Sequence, residues 1–269
     1  MQPLGRHHAR IRRLRALRRD AALRQAEGHF VAEGYHLAAE ALAASAPIEL
    51  ALVTPRVFEH EEGRALVERL ARRGVELCST SDSVMDGLQD ARSAQPLLLS
   101  MPLRPVTLEA VLQASAGAAL ILVACGVQDP GNLGALLRST EAAWGTGLIA
   151  VEGGADLHHP RAVRASAGSI FRLPACRSRL DLVLAALRDR GVQRLAADGN
   201  LGTEHTRSDL RASIALFLGS EGAGLDAAIR ERLDGAVRIA TRPEVQSLSV
   251  GAAAAVVLFE AARQRAVPD

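Results

Sequence analysis

The sequence predicts a two-part α/β protein, with a mostly parallel β-sheet in its second part. Apolar segments alternate with helical segments over residues 111–269, and a shorter helix–strand pattern fills the first hundred residues. Two prolines and a change of composition near residues 102–110 indicate a linker between them. Buried strands that alternate with helices are typical of a parallel sheet covered on both faces. We therefore predict a smaller α/β domain over 1–105 and a larger one over 111–269.

Apolar segments bounded by turn residues mark the predicted strands. In the first domain they are IELALVT at 48–54 and QPLLLSM at 95–101, with a helix, Gly74 and a further strand between them. In the second domain they are AALILVACG at 118–126, GLIAVEG at 147–153, RLAADG at 194–199, IALFLGS at 214–220 and AVRIAT at 236–241.

Bulk composition describes an ordinary globular protein. The chain has 269 residues, 48% of them hydrophobic, and a mean hydropathy of +0.09. No apolar segment reaches the roughly 18 residues of a membrane span, and the arginine-rich start lacks the apolar core of a signal peptide. We expect a cytoplasmic protein. Cys78, Cys125 and Cys176 are odd in number and far apart, so we expect buried thiols and no metal.

Basic residues are unevenly distributed although the net charge is only +2. All 32 are arginines, and the first 24 residues hold only one acid, Asp20. The arginines of this block are Arg6, Arg10, Arg12, Arg13, Arg15, Arg18, Arg19 and Arg24. Such a block indicates a polyanion-binding segment, and the alternative is a solvated helix face. Aromatic residues are only 3% of the chain, which argues against an RNA platform built on base stacking.

A polar loop, GVQDPGNLGALLRST, follows the first strand of the second domain. Asp129, Pro130 and Gly131 predict a turn, and Asn132 is placed to cap a helix that begins at Leu133. Arg138 interrupts the small and apolar residues of that helix. Ligands bind at the carboxyl ends of strands in open parallel sheets, so both polar residues are candidates for function. The alternative is a simple cap and a surface arginine.

Two further loops follow later strands. In LFLGSEGAGL, residues 216–225, the glycines permit close backbone approach to a ligand, and Glu221 lies at the tip. In VRIATRPEVQSLSVGAAAAVVLFE, Ser247 is placed to cap a very apolar closing helix, whose free amides are able to hold an anionic group. The alanines at 252–255 fit a core or a subunit interface.

Taken together, the three loops resemble the motifs of the SpoU/TrmH family of RNA ribose 2'-O-methyltransferases in the SPOUT superfamily. DPGNLGALLRST resembles the first motif with Asn132 and Arg138, LGSEGAGL the second with Glu221, and IATRPEVQSLSVGAAAAVVLFE the third with Ser247. The third motif commonly reads Ser-Leu-Asn, whereas this chain has Ser249 at its end. The first domain resembles the ribosomal-protein-like substrate-binding domain that precedes many such enzymes.

The resemblance implies a deep trefoil knot in the second domain, a homodimer with active sites formed across it, and S-adenosylmethionine as the cofactor. It assigns cofactor binding to Gly219, Ile239, Ser247 and Leu248. It further implies that Arg138 is offered to the RNA, that Asn132 and Glu221 hold its loop, and that Ser247 helps to fix the reacting groups. Ribosomal RNA is the favoured substrate, with transfer RNA as the alternative.

Two other functions are open to the sequence. A Rossmann-type methyltransferase or dehydrogenase would need G-x-G-x-x-G after its first strand, and neither CGVQDPGNLG nor VEGGAD supplies it. A non-catalytic RNA-binding or ribosome-assembly protein on the same scaffold is the stronger competitor, and Ser249 is its only support in the sequence.

Overall fold

The computed structural model describes residues 1–89, 95–115, 117–222, 224–242, 244–245 and 247–265. The chain divides into two compact units. The N-terminal unit contains Met1–Arg104 and His158–Arg172, and the C-terminal unit contains Pro105–Leu157 and Leu173–Asp269. Each unit has its own β-sheet.

The sheet of the N-terminal unit has five strands in the order β1-β4-β3-β5-β2. Its strands are β1 (Gln2–Pro3), β2 (His29–Glu33), β3 (Leu50–Val53), β4 (Glu76–Ser79) and β5 (Leu97–Pro102). Strands β1, β4 and β3 run parallel, whereas β5 runs antiparallel to both β3 and β2. Its helices are α1 (Ala9–Arg19), α2 (Ala21–Glu27), α3 (Tyr35–Ala43), α4 (Glu61–Arg72), α5 (Asp82–Asp86) and α8 (Pro160–Ala165).

Alternation along the strands gives this sheet two apolar faces. Leu50 and Leu52 of β3 share a buried cluster with three residues of α1, which are Ile11, Leu14 and Leu17. Ala51 and Val53 point to the opposite cluster, which contains buried residues of α3 and α4. Helix α1 is therefore part of the core of this unit.

Residues 158–172 belong to the N-terminal unit although in sequence they lie between the two segments of the C-terminal unit. Val163 of α8 is fully buried in the same cluster as α3 and α4. Arg164 donates to Glu33 of β2 at 3.0 Å, and the ring of His158 lies 4.9 Å from that of Phe30. A segment distant in sequence thus completes this unit.

The sheet of the C-terminal unit has seven strands, all in parallel pairs, in the order β10-β12-β9-β11-β6-β7-β8. The strands are β6 (Leu120–Ala124), β7 (Gly147–Val151), β8 (Ala175–Ser178), β9 (Gln193–Ala197), β10 (Thr203–Glu204), β11 (Ile214–Leu218) and β12 (Gly235–Arg238). The helices are α6 (Leu108–Gln113), α7 (Pro130–Ala142), α9 (Leu180–Asp189), α10 (Ala227–Arg230) and α11 (Val250–Gln264).

Buried side chains of α6 and α9 cover one face of this sheet, where they pack against Ile121 and Phe217. Helices α7 and α11 pack against each other. The predicted α/β class with a mostly parallel sheet is confirmed, and the predicted strands of this half are all present. The sequence patterns missed β8 and β10. None of the helices in the described residues is long and apolar enough to cross a membrane.

Candidate active site

The carboxyl ends of β9, β11 and β12 surround a cavity of about 350 Å³ in the C-terminal unit. The loops after these strands and the start of α11 form its wall. Four residues line it together that the family resemblance assigns to cofactor binding: Gly219, Ile239, Ser247 and Leu248. Glu221 lines it as well. Gly219 and Ser247, which lie 28 residues apart along the chain, therefore meet at one site.

The loop after β11 is folded back on itself. Ser220 and Gly224 exchange two backbone hydrogen bonds of 3.0 Å each. Gly219 lies so close to this turn that an added Cβ would be 1.9 Å from the carbonyl carbon of Gly224. Gly224 has a φ of +66°, in the left-handed region that favours glycine. Two glycines are thus required by the shape of the loop, which brings backbone to the edge of the cavity.

Asn132 and Glu221 connect the first loop to the second. Asn132 Nδ2 donates to Glu221 Oε1 at 2.9 Å. The prediction that Asn132 caps a helix starting at Leu133 is wrong, because α7 already begins at Pro130 and Asp129 is its N-cap. The Asp129 carboxylate accepts from the backbone N–H of Asn132 at 3.1 Å, a standard cap that leaves the asparagine amide available. The side chain of Asn132 consequently bridges two loops.

The start of α11 also differs from the prediction. Its N-cap is Ser249, whose hydroxyl accepts from the backbone N–H of Ala252 at 3.3 Å, so the prediction that Ser247 caps the closing helix is wrong. The helix begins two residues later than expected, and Ser247 instead lies in the loop that lines the cavity. Ala253 and Val257 of α11 supply apolar wall. Ser249 thus has a structural role at the position where the family motif commonly has Asn.

The structure adds a charged group that the motifs did not reveal. Asp198 follows β9, lines the cavity, and accepts from Arg230 of α10 at 2.8 Å. Burial alone would raise the pKa of Asp198, but hydrogen bonds from the backbone of Asn200 and Leu201 and from Arg230 lower it below its ordinary value. The site therefore contains an ionised carboxylate. The sequence Asp-Gly-Asn after a predicted strand is a turn signal that could have indicated this loop.

Arg138 is exposed on α7, six residues after Asn132, and does not line the cavity. Within the residues that the structure describes it has no hydrogen bond or ion pair. Its guanidinium is therefore available to a group from outside this chain.

Other reactive groups are scarce in the described part of the chain. The three cysteines are buried and free, and burial raises the pKa of Cys125 to about 12 and that of Cys176 to about 11. Both thiols are therefore protonated at neutral pH and are poor nucleophiles. The same residues contain no group of three or more His, Cys, Asp or Glu side chains arranged to hold a metal ion.

Comparison with known proteins identifies the family of this chain. The profile of the SpoU rRNA Methylase family matches residues 119–259, which include all three loops and the cavity. The chain belongs to the SpoU rRNA methylase family. Residues 8–98 match a second profile, the MRM3-like substrate binding domain. The predicted family and the predicted enzyme class, an RNA methyltransferase, are confirmed.

One curated relative from Xanthomonas axonopodis pv. citri is named 23S rRNA (guanosine-2'-O-)-methyltransferase RlmB. It is 33% identical over 223 residues, which cover 81% of this chain and 87% of the relative. A crystal structure of an RNA 2'-O ribose methyltransferase is similar to this chain, with 30% sequence identity and a TM-score of 0.84, and the match covers 99% of this chain and all of that chain.

A second structure shares the fold. AviRb from Streptomyces viridochromogenes, a SpoU methyltransferase in complex with the cofactor AdoMet, has 24% identity and a TM-score of 0.85 and covers 96% of this chain and 98% of its own. These neighbours support the predicted SPOUT architecture. The trefoil knot stays a prediction.

Proposed function

We propose that this protein transfers a methyl group from S-adenosylmethionine to the 2'-hydroxyl of a ribose in ribosomal RNA, with a guanosine of 23S rRNA as the favoured target. The observation that carries the proposal is that the second and third motif loops line one cavity, and that the 2.9 Å hydrogen bond from Asn132 to Glu221 connects the first loop to them. The name of the Xanthomonas relative supports both the reaction and the RNA. An rRNA substrate would place the enzyme in the cytoplasm.

The cavity fits the proposed cofactor. Its volume of about 350 Å³ lies in the range of small-molecule sites, and Ile239, Leu248 and Val250 give it apolar wall. A side chain at position 219 would collide with the backbone of Gly224, so Gly219 leaves backbone at the edge of the cavity. We assign cofactor binding to Gly219, Ile239, Ser247 and Leu248. S-adenosylmethionine supplies an electrophilic methyl group on a sulfonium. The protein has to hold that group and exclude water from it.

Arg138 is proposed to act on the RNA rather than on the cofactor. An arginine side chain stays protonated at neutral pH, so a cation that stabilises the developing alkoxide or an adjacent phosphate fits its chemistry better than a general base. Asn132 and Glu221 hold the loops on which this arrangement depends, through their 2.9 Å hydrogen bond. Ser247, at the wall of the cavity, is proposed to fix the reacting groups. Positioning then supplies much of the acceleration.

A homodimer is proposed because the site of one chain is incomplete. Arg138 lies outside the cavity lining of its own chain. Helix α11 also exposes apolar side chains, with Phe259 48% and Val256 37% exposed, three residues apart on one face. A second copy on this surface would cover both residues and is proposed to complete the site.

The division of labour between the domains is part of the proposal. Residues 1–105 are proposed to bind RNA and residues 111–269 to form the SPOUT methyltransferase domain. The match of 8–98 to a substrate-binding profile supports the first assignment. In the structure, residues 158–172 join the first compact unit, so the proposed RNA-binding part includes them.

The test is methyl transfer to defined RNA. The full-length protein and tritiated S-adenosylmethionine are incubated with in vitro transcripts of 23S rRNA, 16S rRNA and pooled tRNA, and modified positions are mapped by their resistance to alkaline cleavage. We expect label in 23S rRNA at one ribose. Label only in tRNA would show that tRNA, and not rRNA, is the substrate. If no RNA is labelled and calorimetry finds no heat of binding for S-adenosylmethionine, the protein is a non-catalytic scaffold.

A further inference from the structure

Half of the N-terminal arginine block is used to hold the N-terminal unit together. Three of its members form ion pairs with carboxylates of that unit. Arg24 is only 1% exposed and donates to the backbone oxygen of Leu17 at 2.6 Å, near the end of α1. The ion pairs are Arg10 with Glu76, Arg13 with Glu27 at 2.5 Å and Glu49 at 3.0 Å, and Arg18 with Glu33 at 2.7 Å.

Three other arginines of α1 have no such partner. Arg12, Arg15 and Arg19 form no hydrogen bond or ion pair with any residue that the structure describes, and Arg12 and Arg19 are exposed. Their spacing of three and four residues places them on one face of the helix. We call these three residues the α1 arginine stripe.

The stripe faces away from the core of the unit. At 3.6 residues per turn its centre lies roughly 130° around the helix from the buried side chains, which are Ile11, Leu14 and Leu17, and it extends about 10 Å along the axis. The acid-paired arginines flank the buried side instead. The stripe is thus a solvent-facing row of cations without intervening carboxylates.

Like charges at this spacing destabilise a helix, because the guanidinium groups repel one another. The first turn of α1 contains no acidic residue that would offset the repulsion. A bound polyanion would remove this repulsion between the guanidinium groups. The planar fork of each guanidinium also matches the oxygens of a phosphate. Charge complementarity therefore favours a nucleic acid backbone as the occupant.

We infer that the α1 arginine stripe binds the phosphate backbone of the RNA substrate, whereas Arg10, Arg13, Arg18 and Arg24 do not. The inference rests on the proposed function for the identity of the RNA. Phosphate contacts fix the position of the RNA and carry no sequence information. The stripe therefore sets affinity and leaves the choice of nucleotide to the methyltransferase site.

Two double variants of the full-length protein test this assignment. R12Q/R15Q removes two members of the stripe, and R10Q/R13Q removes two acid-paired arginines from the same helix with the same spacing and the same change of charge. Glutamine retains good helix propensity. Binding of a 23S rRNA transcript, and of poly(U) as an unstructured control, is measured from 50 to 300 mM KCl, with thermal melting and S-adenosylmethionine affinity measured in parallel.

The slope of log K against log salt is negative, and each lost phosphate contact makes it less steep by about 0.7 to 0.9. We expect R12Q/R15Q to make the slope less steep by about 1.4 to 1.8. This variant should also raise KM for RNA and leave kcat at saturating RNA and the cofactor affinity unchanged. R10Q/R13Q should retain the wild-type slope and melt at a lower temperature. Equal slopes for the two variants would overturn the inference and show that the stripe is a solvated face.

This outcome is separate from failure of the proposed function. Poly(U) and the transcript both report phosphate binding without any methyl transfer. If the slope difference appears but 23S rRNA is not methylated, the stripe stands and the substrate assignment fails. If 23S rRNA is methylated and the two slopes are equal, the proposed function stands and the inference about the stripe fails.

Discussion

Helix α1 of the N-terminal unit and the carboxyl edge of the seven-stranded sheet both concentrate polar side chains but use them differently. On the buried side of α1, Arg18 binds the carboxylate of Glu33, and Arg24 of α2 binds the backbone oxygen of Leu17. At the sheet edge, Ser247 and Gly219 face a cavity, and Arg138 on α7 has no partner within the described residues. The difference teaches that residue type alone does not identify a functional group. A polar group whose hydrogen bonds are already made supports the fold, and one left available can serve a ligand.

The largest expected effect tests the backbone at the sheet edge. Gly219→Ala would place a Cβ 1.9 Å from Gly224 and 2.1 Å from the backbone nitrogen of Leu225, so the loop cannot keep its shape. We expect S-adenosylmethionine affinity to fall by more than about 100-fold, equivalent to roughly 2.7 kcal/mol. Gly222→Ala is the control in the same loop, because its Cβ would meet nothing within 4 Å. Calorimetry that finds the two variants equally affected would refute the steric argument.

Arg138→Ala tests whether the available cation acts on RNA. Loss of one group that stabilises transition-state charge costs about 10²- to 10³-fold in kcat. We expect a loss of that size in methyl transfer with S-adenosylmethionine affinity and melting temperature unchanged, since Arg138 neither lines the cavity nor binds another described residue. Arg138→Lys retains the positive charge but lacks the planar guanidinium, so it should recover part of the rate of methyl transfer. Weakened cofactor binding in the alanine variant would contradict the assignment.

Arg24→Met tests the opposite role, that of a cation used for the fold. The substitution removes the donor to the backbone oxygens of Leu17 and Arg18 at the end of α1. Buried acceptors left without a donor cost about 1 to 3 kcal/mol. We expect a lower melting temperature and a lower denaturant midpoint for the N-terminal unit, with unchanged cofactor affinity. A protein as stable as the wild type would show that Arg24 contributes little to the fold.

The smallest expected effect concerns Ser249. Asparagine and serine are equally good N-caps, so Ser249→Asn should change the free energy of unfolding by less than about 0.5 kcal/mol, whereas Ser249→Ala should cost about 1 kcal/mol. Methyl transfer by the asparagine variant should stay near that of the wild type. A large gain of activity would mean that this position acts on the reaction as well as on the cap.

Much of the fold and site was predictable from local patterns. Continuous apolar segments found β6, β7 and β11, because both faces of a parallel sheet are buried. Strand β8 was missed because Arg177 and Ser178 interrupt its apolar pattern. Cap positions were also misplaced, since several residues near each helix start have capping side chains and only tertiary contacts decide between them. The pairing of Asp198 with Arg230 joins the loop after β9 to α10, and no local pattern predicts it.

The buried carboxylate of Glu33 shows why the role of the arginine block cannot be inferred from its charge alone. Its side chain is 4% exposed and binds both Arg18 and Arg164, residues 146 positions apart in sequence. A count of charges in the first 24 residues could not include these partners. The structure therefore shows that Arg10, Arg13, Arg18 and Arg24 of the block are bound within their own unit, and it leaves the α1 arginine stripe as the part to test.

The contribution of residues 158–172 to the N-terminal unit has a consequence for synthesis on the ribosome. At 5 to 20 residues per second, the chain between positions 104 and 172 takes roughly 3 to 14 s to translate. During that interval Glu33 lacks Arg164 and the cluster around α3 and α4 lacks Val163. The unit whose first strands are translated first is thus completed late, after two strands of the second sheet, β6 and β7, have been translated.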